Sequence, residues 1–160
     1  MHVIFLDIDG VLNCKRTPNP RKLPYIVDPL LLKRFVRLVD RTGAKAVLSS
    51  TWRYDPAGLF SAQYWGVPFI DVLPDMPKRP RRDEILAWLK AHPDTDRFAD
   101  EDDELDELPL FQLSAATGLT DEIVQGIADY LSGRTDRDMR CNRIKRLLQN
   151  LQAVFKGHEG

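Results

Sequence analysis

The sequence has few cysteines, no long hydrophobic run and almost no net charge. Its two cysteines, Cys14 and Cys141, lie far apart and match no metal-binding spacing, so we expect free thiols of a cytosolic protein. No apolar stretch approaches the roughly 20 residues that cross a membrane, and no secretory cleavage site follows the N-terminal apolar run. We therefore expect a cytoplasmic protein with no membrane partner. The net charge of −1 excludes a strong overall attraction to nucleic acid but leaves room for local basic patches.

The size and apolar content of the chain predict one globular domain. Its 160 residues are 43% hydrophobic and 29% charged, which is typical of a soluble protein with a substantial core. We assign this domain to residues 1–132. Residues 133–160 form a predicted amphipathic helix that packs on the same domain or on a partner, and the second alternative would allow a homodimer.

The stretch HVIFLDIDGVLN, at residues 2–13, carries two carboxylates at the end of an apolar run. Five mostly apolar residues without alternation predict a strand buried on both faces, as in a parallel sheet. Asp7 ends this strand, and Asp9 follows just before Gly10. Ligands bind at the carboxyl ends of strands in open α/β sheets. An ordinary polar turn is the alternative reading, but the apolar residues on both sides disfavour it.

The pattern after this strand predicts a βαβ unit. Residues 13–27 are a basic, proline-containing loop, here called the flap. Asp28 and Pro29 give a helix start, so a helix is predicted over about 28–41. A second buried strand, at residues 44–48, then ends in the sequence SSTWR. Short links between strand, helix and strand imply parallel pairing.

The rest of the chain continues the alternation of helices and strands, which predicts an α/β fold with a mostly parallel sheet. The predicted elements are a short helix from Asp55 to near Gly66, an extended segment at 67–72, a helix opened by Arg81 and closed at His92, a strand within 108–113, a helix after Thr120 and a last helix from about 136. A basic linker at 76–82 precedes the Arg81 helix, and residues 94–106 are strongly acidic.

Four places along the chain therefore carry chemical groups in a regular order. Asp7 and Asp9 end the first strand, Ser49 ends the second, Arg81 opens a helix, and the pair Asp102 and Asp103 follows the apolar residues Phe98 and Ala99. If each lies at the carboxyl edge of adjacent parallel strands, they converge on one pocket with carboxylates, a hydroxyl and a cation.

This order resembles the haloacid dehalogenase (HAD) superfamily of phosphohydrolases, through the motifs FLDIDGVLN, VLSSTWR, RRDEILAWL and EDD. The details are most similar to the small HAD domains of Swiss Army Knife RNA repair proteins and, more distantly, to the phosphatase half of polynucleotide kinase-phosphatases. The resemblance implies a Rossmann-like three-layer αβα sandwich and a Mg²⁺-dependent phosphatase. Because the intervals between motifs are short, it also implies a minimal cap or none.

The resemblance also implies a role for each matching residue. Asp7 would be the nucleophile that forms an aspartyl phosphate, and Asp9 the general acid and base. Mg²⁺ would be held by Asp7, the backbone carbonyl of Asp9, and Asp102 or Asp103. The phosphate would be held by Ser49 and Arg81, with Ser50 and Arg53 as further phosphate-binding candidates.

Several of these assignments have alternatives in the sequence. Ser50 or Thr51 can replace Ser49, and Asp100 can be the metal ligand if its strand is short. Trp52 is better explained as an aromatic at the edge of the core than as a substrate-stacking residue. The basic residues that compete with Arg81 for the phosphate are Lys78, Arg79 and Arg82.

An open site favours a large substrate, such as a nucleic-acid end with a 3′-phosphate, although nucleotides also fit this chemistry. Four basic residues of the flap could attract a phosphate backbone or could simply be solvated: Lys15, Arg16, Arg21 and Lys22. A second hypothesis is a catalytically weak binding module that associates through the C-terminal helix. The presence of both Asp7 and Asp9 disfavours it.

Overall fold

A computed structural model describes residues 1–102 and 110–134, and five parallel strands form one sheet in this part of the chain. The strand order is β3-β2-β1-β4-β5, so the first strand lies at the centre. All four pairings are parallel, which confirms the predicted sheet. The strands are β1 (His2–Leu6), β2 (Lys45–Leu48), β3 (Asp71–Val72), β4 (Arg97–Asp102) and β5 (Leu110–Gln112).

In the described part of the chain, four α-helices connect or follow these strands, and α1 shows how local sequence sets their ends. The Leu30 amide donates to Asp28 Oδ1 over 2.9 Å, and Pro29 occupies the first turn. Gly43, with φ of 65°, ends the helix. The helix predicted over about 28–41 is thereby confirmed. The helices are α1 (Pro29–Thr42), α2 (Pro56–Tyr64), α3 (Arg81–Ala91) and α4 (Asp121–Leu131).

Helices cover both faces of the sheet, which confirms the three-layer αβα sandwich. Ile4 and Leu6 of β1 face a core that contains residues of α1 and α4, such as Phe35 and Ile127. The alternate residues of β1 face a second core with α3, formed by Val3, Phe5, Val47, Ile85, Leu86, Trp88, Leu89 and Phe98. Burial on both faces explains why the apolar run of β1 shows no alternation.

The structure differs from the sequence prediction in two places. A 3₁₀ helix over Thr51–Tyr54 follows β2, and the sequence pattern gave no sign of it. Strand β4 continues past its two apolar residues through the acidic run to Asp102, because it pairs with β1 on one side and β5 on the other. Pairing with two neighbours outweighs the low strand propensity of acidic residues. Asp100, inside this strand, is fully buried.

The connections between the motifs are short, as the minimal cap requires. A loop and α1 separate β1 from β2, and the 3₁₀ helix, α2 and β3 lie between β2 and α3. Among the described residues, no helix is long and apolar enough to cross a membrane. Asp103, Cys141 and most of the predicted C-terminal segment at 133–160 lie outside the described residues, so the proposed domain boundary and homodimer stay predictions.

Candidate active site

Asp7 and Ser49 lie side by side at the carboxyl edge of the sheet. The last residues of β1 and β2, Leu6 and Leu48, are paired in register. The Ser49 amide donates to the Leu6 carbonyl over 2.8 Å, which extends the ladder by one step. The residues that directly follow the two strands therefore sit at the same level, as the sequence predicted.

The Asp7 carboxylate is largely buried, because only 7% of the residue is exposed to solvent. Its Oδ1 accepts a hydrogen bond from the Ile8 amide over 2.7 Å, and its Oδ2 lies 3.3 Å from Nη1 of Arg81. Burial raises the pKa of Asp7, and Arg81 and hydrogen bonds from Ser50 and Ile8 oppose that rise. The carboxylate is oriented and poorly hydrated, which suits a nucleophile facing an electrophile at the sheet edge.

The hydroxyls of Ser49 and Ser50 lie in different environments although both residues are fully buried. The Ser50 hydroxyl accepts from the Trp52 amide over 3.4 Å at the start of the 3₁₀ helix and also bonds to Asp7. Within the described part of the chain, the Ser49 Oγ has no hydrogen-bond partner. A buried hydroxyl without a partner is costly unless a ligand supplies one. Ser49 is therefore better placed than Ser50 to accept a new ligand.

Arg81 is the first residue of α3, and its side chain reaches Asp7 as described above. Pro80 precedes it and makes no side-chain cap to the helix start. The competing basic residues make different contacts: Lys78 is exposed, and Arg79 pairs with Asp83 over 3.5 Å. Arg82 Nε lies 3.8 Å from the same Asp83 carboxylate.

Asp9 differs from Asp7 because it is exposed and its oxygens accept hydrogen bonds from two side chains. Its Oδ1 accepts from Asn13 Nδ2 over 2.7 Å, and its Oδ2 accepts from Trp52 Nε1 over 2.9 Å. Gly10 follows with φ of 79°, a left-handed conformation that favours glycine. This turn keeps Asp9 on the rim of the site while Asp7 stays inside.

Comparison with known protein families agrees with this geometry. A family model described as the HAD domain in Swiss Army Knife RNA repair proteins matches residues 3–124. The chain belongs to this HAD family. No curated protein and no solved structure matched the chain. Membership indicates a phosphatase-type hydrolase, and HAD domains typically use Mg²⁺.

Arg53 of the HAD domain lies below the site rather than in its opening. Its guanidinium donates to the carbonyls of Ser49 and Ser50 and forms an ion pair with Glu84 of α3. The Arg53 and Glu84 side chains are only 3% and 4% exposed. Arg53 thus braces the loop that carries both serines, while its role as a direct phosphate ligand stays a prediction.

The acidic candidates of the HAD domain are placed by β4. Its register pairs Leu6 with Glu101, so the next residues along the two strands, Asp7 and Asp102, stand at the same level. The alternative with Asp100 as metal ligand required a short strand. Strand β4 instead continues to Asp102, so Asp100 lies inside the strand and not at its end. Asp103 is outside the described residues. Within residues 1–102 and 110–134, no group of three or more His, Cys, Asp or Glu side chains could by itself hold a metal.

Three functional contacts in the HAD domain were missed by sequence reasoning. Trp52 is 3% exposed, which confirms it as a core-edge aromatic, but its bond to Asp9 was not foreseen. Asn13 gave a weak signal as a polar residue directly after the apolar pair that follows Gly10. Glu84 gave a stronger signal. It lies four residues before the buried Trp88, so both residues share one face of α3, and a carboxylate on a buried face needs a partner.

Proposed function

We propose that this HAD domain is a Mg²⁺-dependent phosphatase that hydrolyses phosphate monoesters through an aspartyl phosphate on Asp7. The observation that carries the proposal is the convergence on one edge of an oriented, buried Asp7 carboxylate, the Arg81 guanidinium and the Ser49 hydroxyl, which has no hydrogen-bond partner within residues 1–102 and 110–134. A phosphoryl group needs a nucleophile on one side and donors to its oxygens. These three side chains supply both.

The reaction proceeds in two displacements. An Asp7 oxygen attacks phosphorus, the bond from phosphorus to the leaving oxygen breaks, and Asp9 gives that oxygen a proton. Water then attacks the phosphorus of the aspartyl phosphate, Asp9 takes a proton from the water, and the bond from phosphorus to Asp7 breaks. Ser49 and Arg81 donate hydrogen bonds to the phosphoryl oxygens throughout, so inorganic phosphate leaves and both carboxylates return to their first state.

The donor set at this edge fits Mg²⁺, which prefers a few oxygen ligands and keeps several waters. The residues that would hold the ion are Asp7, the backbone carbonyl of Asp9, and Asp102, which β4 brings to the level of Asp7. Asp103 stays an alternative to Asp102. When bound, Mg²⁺ would neutralise the repulsion between the Asp7 carboxylate and an anionic phosphate.

Turnover of 4-nitrophenyl phosphate tests this proposal. We expect activity that requires Mg²⁺, is lost in a chelator and falls by about 1,000-fold or more in Asp7→Asn, because the nucleophile is removed. Asp75→Asn changes an exposed aspartate in the linker before α3 and serves as the matched control. Equal rates for the wild type and Asp7→Asn would contradict the proposal.

We propose polynucleotide ends with a 3′-phosphate as the substrate class. Support comes from the short connections that leave the site uncapped, from the RNA repair proteins in the family description and from the exposed basic residues of the flap, which are Lys15, Arg16, Arg21 and Lys22. Contacts to a phosphate backbone release counterions, so binding of such a substrate weakens steeply with salt.

Salt dependence separates this substrate class from small ones. With a 3′-phosphorylated oligonucleotide, kcat/KM should fall steeply as salt rises, and Lys15→Glu should reduce that slope. Lys45→Glu makes the same change in an exposed lysine at the opposite end of β2 and should leave the slope unchanged. A flat salt response with the oligonucleotide would indicate a small substrate such as a nucleotide.

A further inference from the structure

The Asp9 carboxylate is fixed by two side chains that come from different parts of the chain. Asn13, in the loop after β1, donates to one oxygen, and Trp52, in the 3₁₀ helix after β2, donates to the other. An exposed aspartate normally samples several rotamers, since nothing restricts its side chain. Two N–H donors on two oxygens remove most of that freedom.

Both donors are themselves held in place. Asn13 Nδ2 also donates to the Ile26 carbonyl over 2.9 Å, and its Oδ1 accepts from the Gly10 amide over 3.1 Å. The Trp52 ring packs edge-on against Tyr25, with 4.9 Å between ring centroids. Asn13 is the first residue of the flap, and Tyr25 and Ile26 are near its end, so the end of the flap contacts both donors of Asp9.

The backbone of Trp52 is confined from the other side by α2. Gly58 of that helix lies so close that a Cβ added there would be 2.5 Å from the Trp52 carbonyl oxygen. A residue larger than glycine would force the helix and Trp52 apart. The Trp52 backbone is thus confined by α2 and its ring by Tyr25 of the flap, and in this position the indole N–H donates to Asp9.

We propose that Trp52 and Asn13 are positioning residues that orient the Asp9 carboxylate for proton transfer to the leaving group, with the end of the flap holding both in place. This inference rests on the proposed phosphatase function, in which Asp9 is the general acid. The inference predicts that loss of either positioning residue affects some substrates more than others. A misplaced acid slows the departure of a poor leaving group much more than that of a good one, which leaves without a proton.

The hydrogen bond itself is tested by NMR, with no need for turnover. The chain has three tryptophans, so it gives three indole N–H signals, which Trp→Phe variants assign. Asp9→Ala should shift the Trp52 signal and leave the Trp88 signal in place. Asp71→Ala, which removes the acceptor 2.6 Å from Trp88 Nε1, should do the reverse. An unmoved Trp52 signal in Asp9→Ala overturns the inference.

Kinetics with two leaving groups tests the positioning role. Trp52→Phe keeps an aromatic ring but removes the N–H. We expect kcat/KM, which reports departure of the leaving group, to fall about 10-fold or more for phenyl phosphate and less than about 3-fold for 4-nitrophenyl phosphate. Asn13→Ala should show the same split. The matched control is Trp88→Phe, which removes an equivalent bond far from Asp9 and should change both rates equally.

The outcomes separate the two proposals. Equal losses on both substrates in Trp52→Phe would overturn the positioning role while Asp7-dependent turnover would still support the phosphatase. If turnover did not depend on Asp7, the phosphatase proposal would fail, and with it the proton-transfer role of Trp52 and Asn13, even if the NMR shift confirmed the bond.

Discussion

Two ion pairs of the first turn of α3 differ in their accessibility and in the strand end that they reach. Arg81 pairs with Asp7 after β1, and Glu84 pairs with Arg53 after β2. The side chains of the first pair are 16% and 10% exposed, whereas those of the second are 3% and 4% exposed. The start of α3 therefore places the Arg81 cation at the end of β1 and the Glu84 anion at the end of the neighbouring β2.

The difference suggests different purposes for the two pairs. Arg81 and Asp7 are 3.3 Å apart beside Ser49, whose hydroxyl has no partner among the described residues, so in the proposed reaction a phosphoryl group would take over the Arg81 contact. Arg53 instead bonds to Glu84, Tyr54 and two backbone carbonyls, and Glu84 also accepts from the Met76 amide over 3.2 Å. The Arg53 pair thus anchors α3 to β2 and keeps Arg81 above β1.

Breaking the Arg53 pair should have the largest effect on stability. Glu84→Gln leaves the Arg53 charge buried without an anion, so we expect the free energy of unfolding to fall by about 3–5 kcal/mol. Chemical denaturation followed by circular dichroism measures this change.

A neighbouring pair on the same helix gives the control. Asp83 pairs with Arg79, whose side chain is 66% exposed, so Asp83→Asn should cost less than about 1 kcal/mol. Similar losses in Glu84→Gln and Asp83→Asn would show that the buried pair does not anchor the helix.

Breaking the Arg81 pair should reduce activity more than stability. In Arg81→Met the phosphoryl oxygens lose a charged donor, so kcat/KM for 4-nitrophenyl phosphate should fall about 100- to 1,000-fold. Inorganic phosphate should also inhibit more weakly. The free energy of unfolding should fall less than in Glu84→Gln, because the side chains of the Arg81 pair are more exposed than those of the Arg53 pair.

Lys78→Met is the control for this prediction, because Lys78 is an exposed basic residue in the linker before α3. We expect its activity to stay close to that of the wild type. A larger loss in Lys78→Met than in Arg81→Met would assign the phosphate contact to the linker instead.

The comparison also shows which parts of the site can be predicted from sequence. Asp7, Ser49 and Arg81 directly follow a strand or open a helix, and such ends are visible in local apolar patterns and in proline positions. The convergence of Asp7 and Ser49 then follows from parallel pairing alone. Most of the fold was predicted for the same reason, since α1, α3 and α4 have clear start or stop signals.

The supporting contacts could not be predicted in this way, because they join residues far apart in sequence. Glu84 meets Arg53 across 31 positions, and Trp52 meets Asp9 across 43. No local pattern encodes the rotation of a helix against a neighbouring loop. Strand β4 was underestimated for a related reason, since pairing on both sides stabilises a strand that its acidic residues would not form alone.

The smallest expected effect is the change of the free energy of unfolding with pH that Asp7 of the Arg81 pair causes. Burial raises the pKa of Asp7 above its ordinary value of 3.8, so the folded protein keeps this proton at pH values at which the unfolded chain has lost it. As pH rises from about 3.8 through the folded-state pKa, the wild type should lose stability relative to Asp7→Asn, which does not titrate. Unfolding experiments in chelator across this range measure the difference.

Asp55 provides the opposite case. Its hydrogen bond with Tyr25 is the main cause that lowers its pKa, so its contribution to stability is present above pH 3.8 and is lost as pH falls through the folded-state value. The wild type should therefore gain stability relative to Asp55→Asn as pH rises. If the Asp7→Asn comparison followed the same direction, Arg81 and the hydrogen bonds would outweigh burial, and the Asp7–Arg81 pair would be a structural anchor like the Arg53 pair.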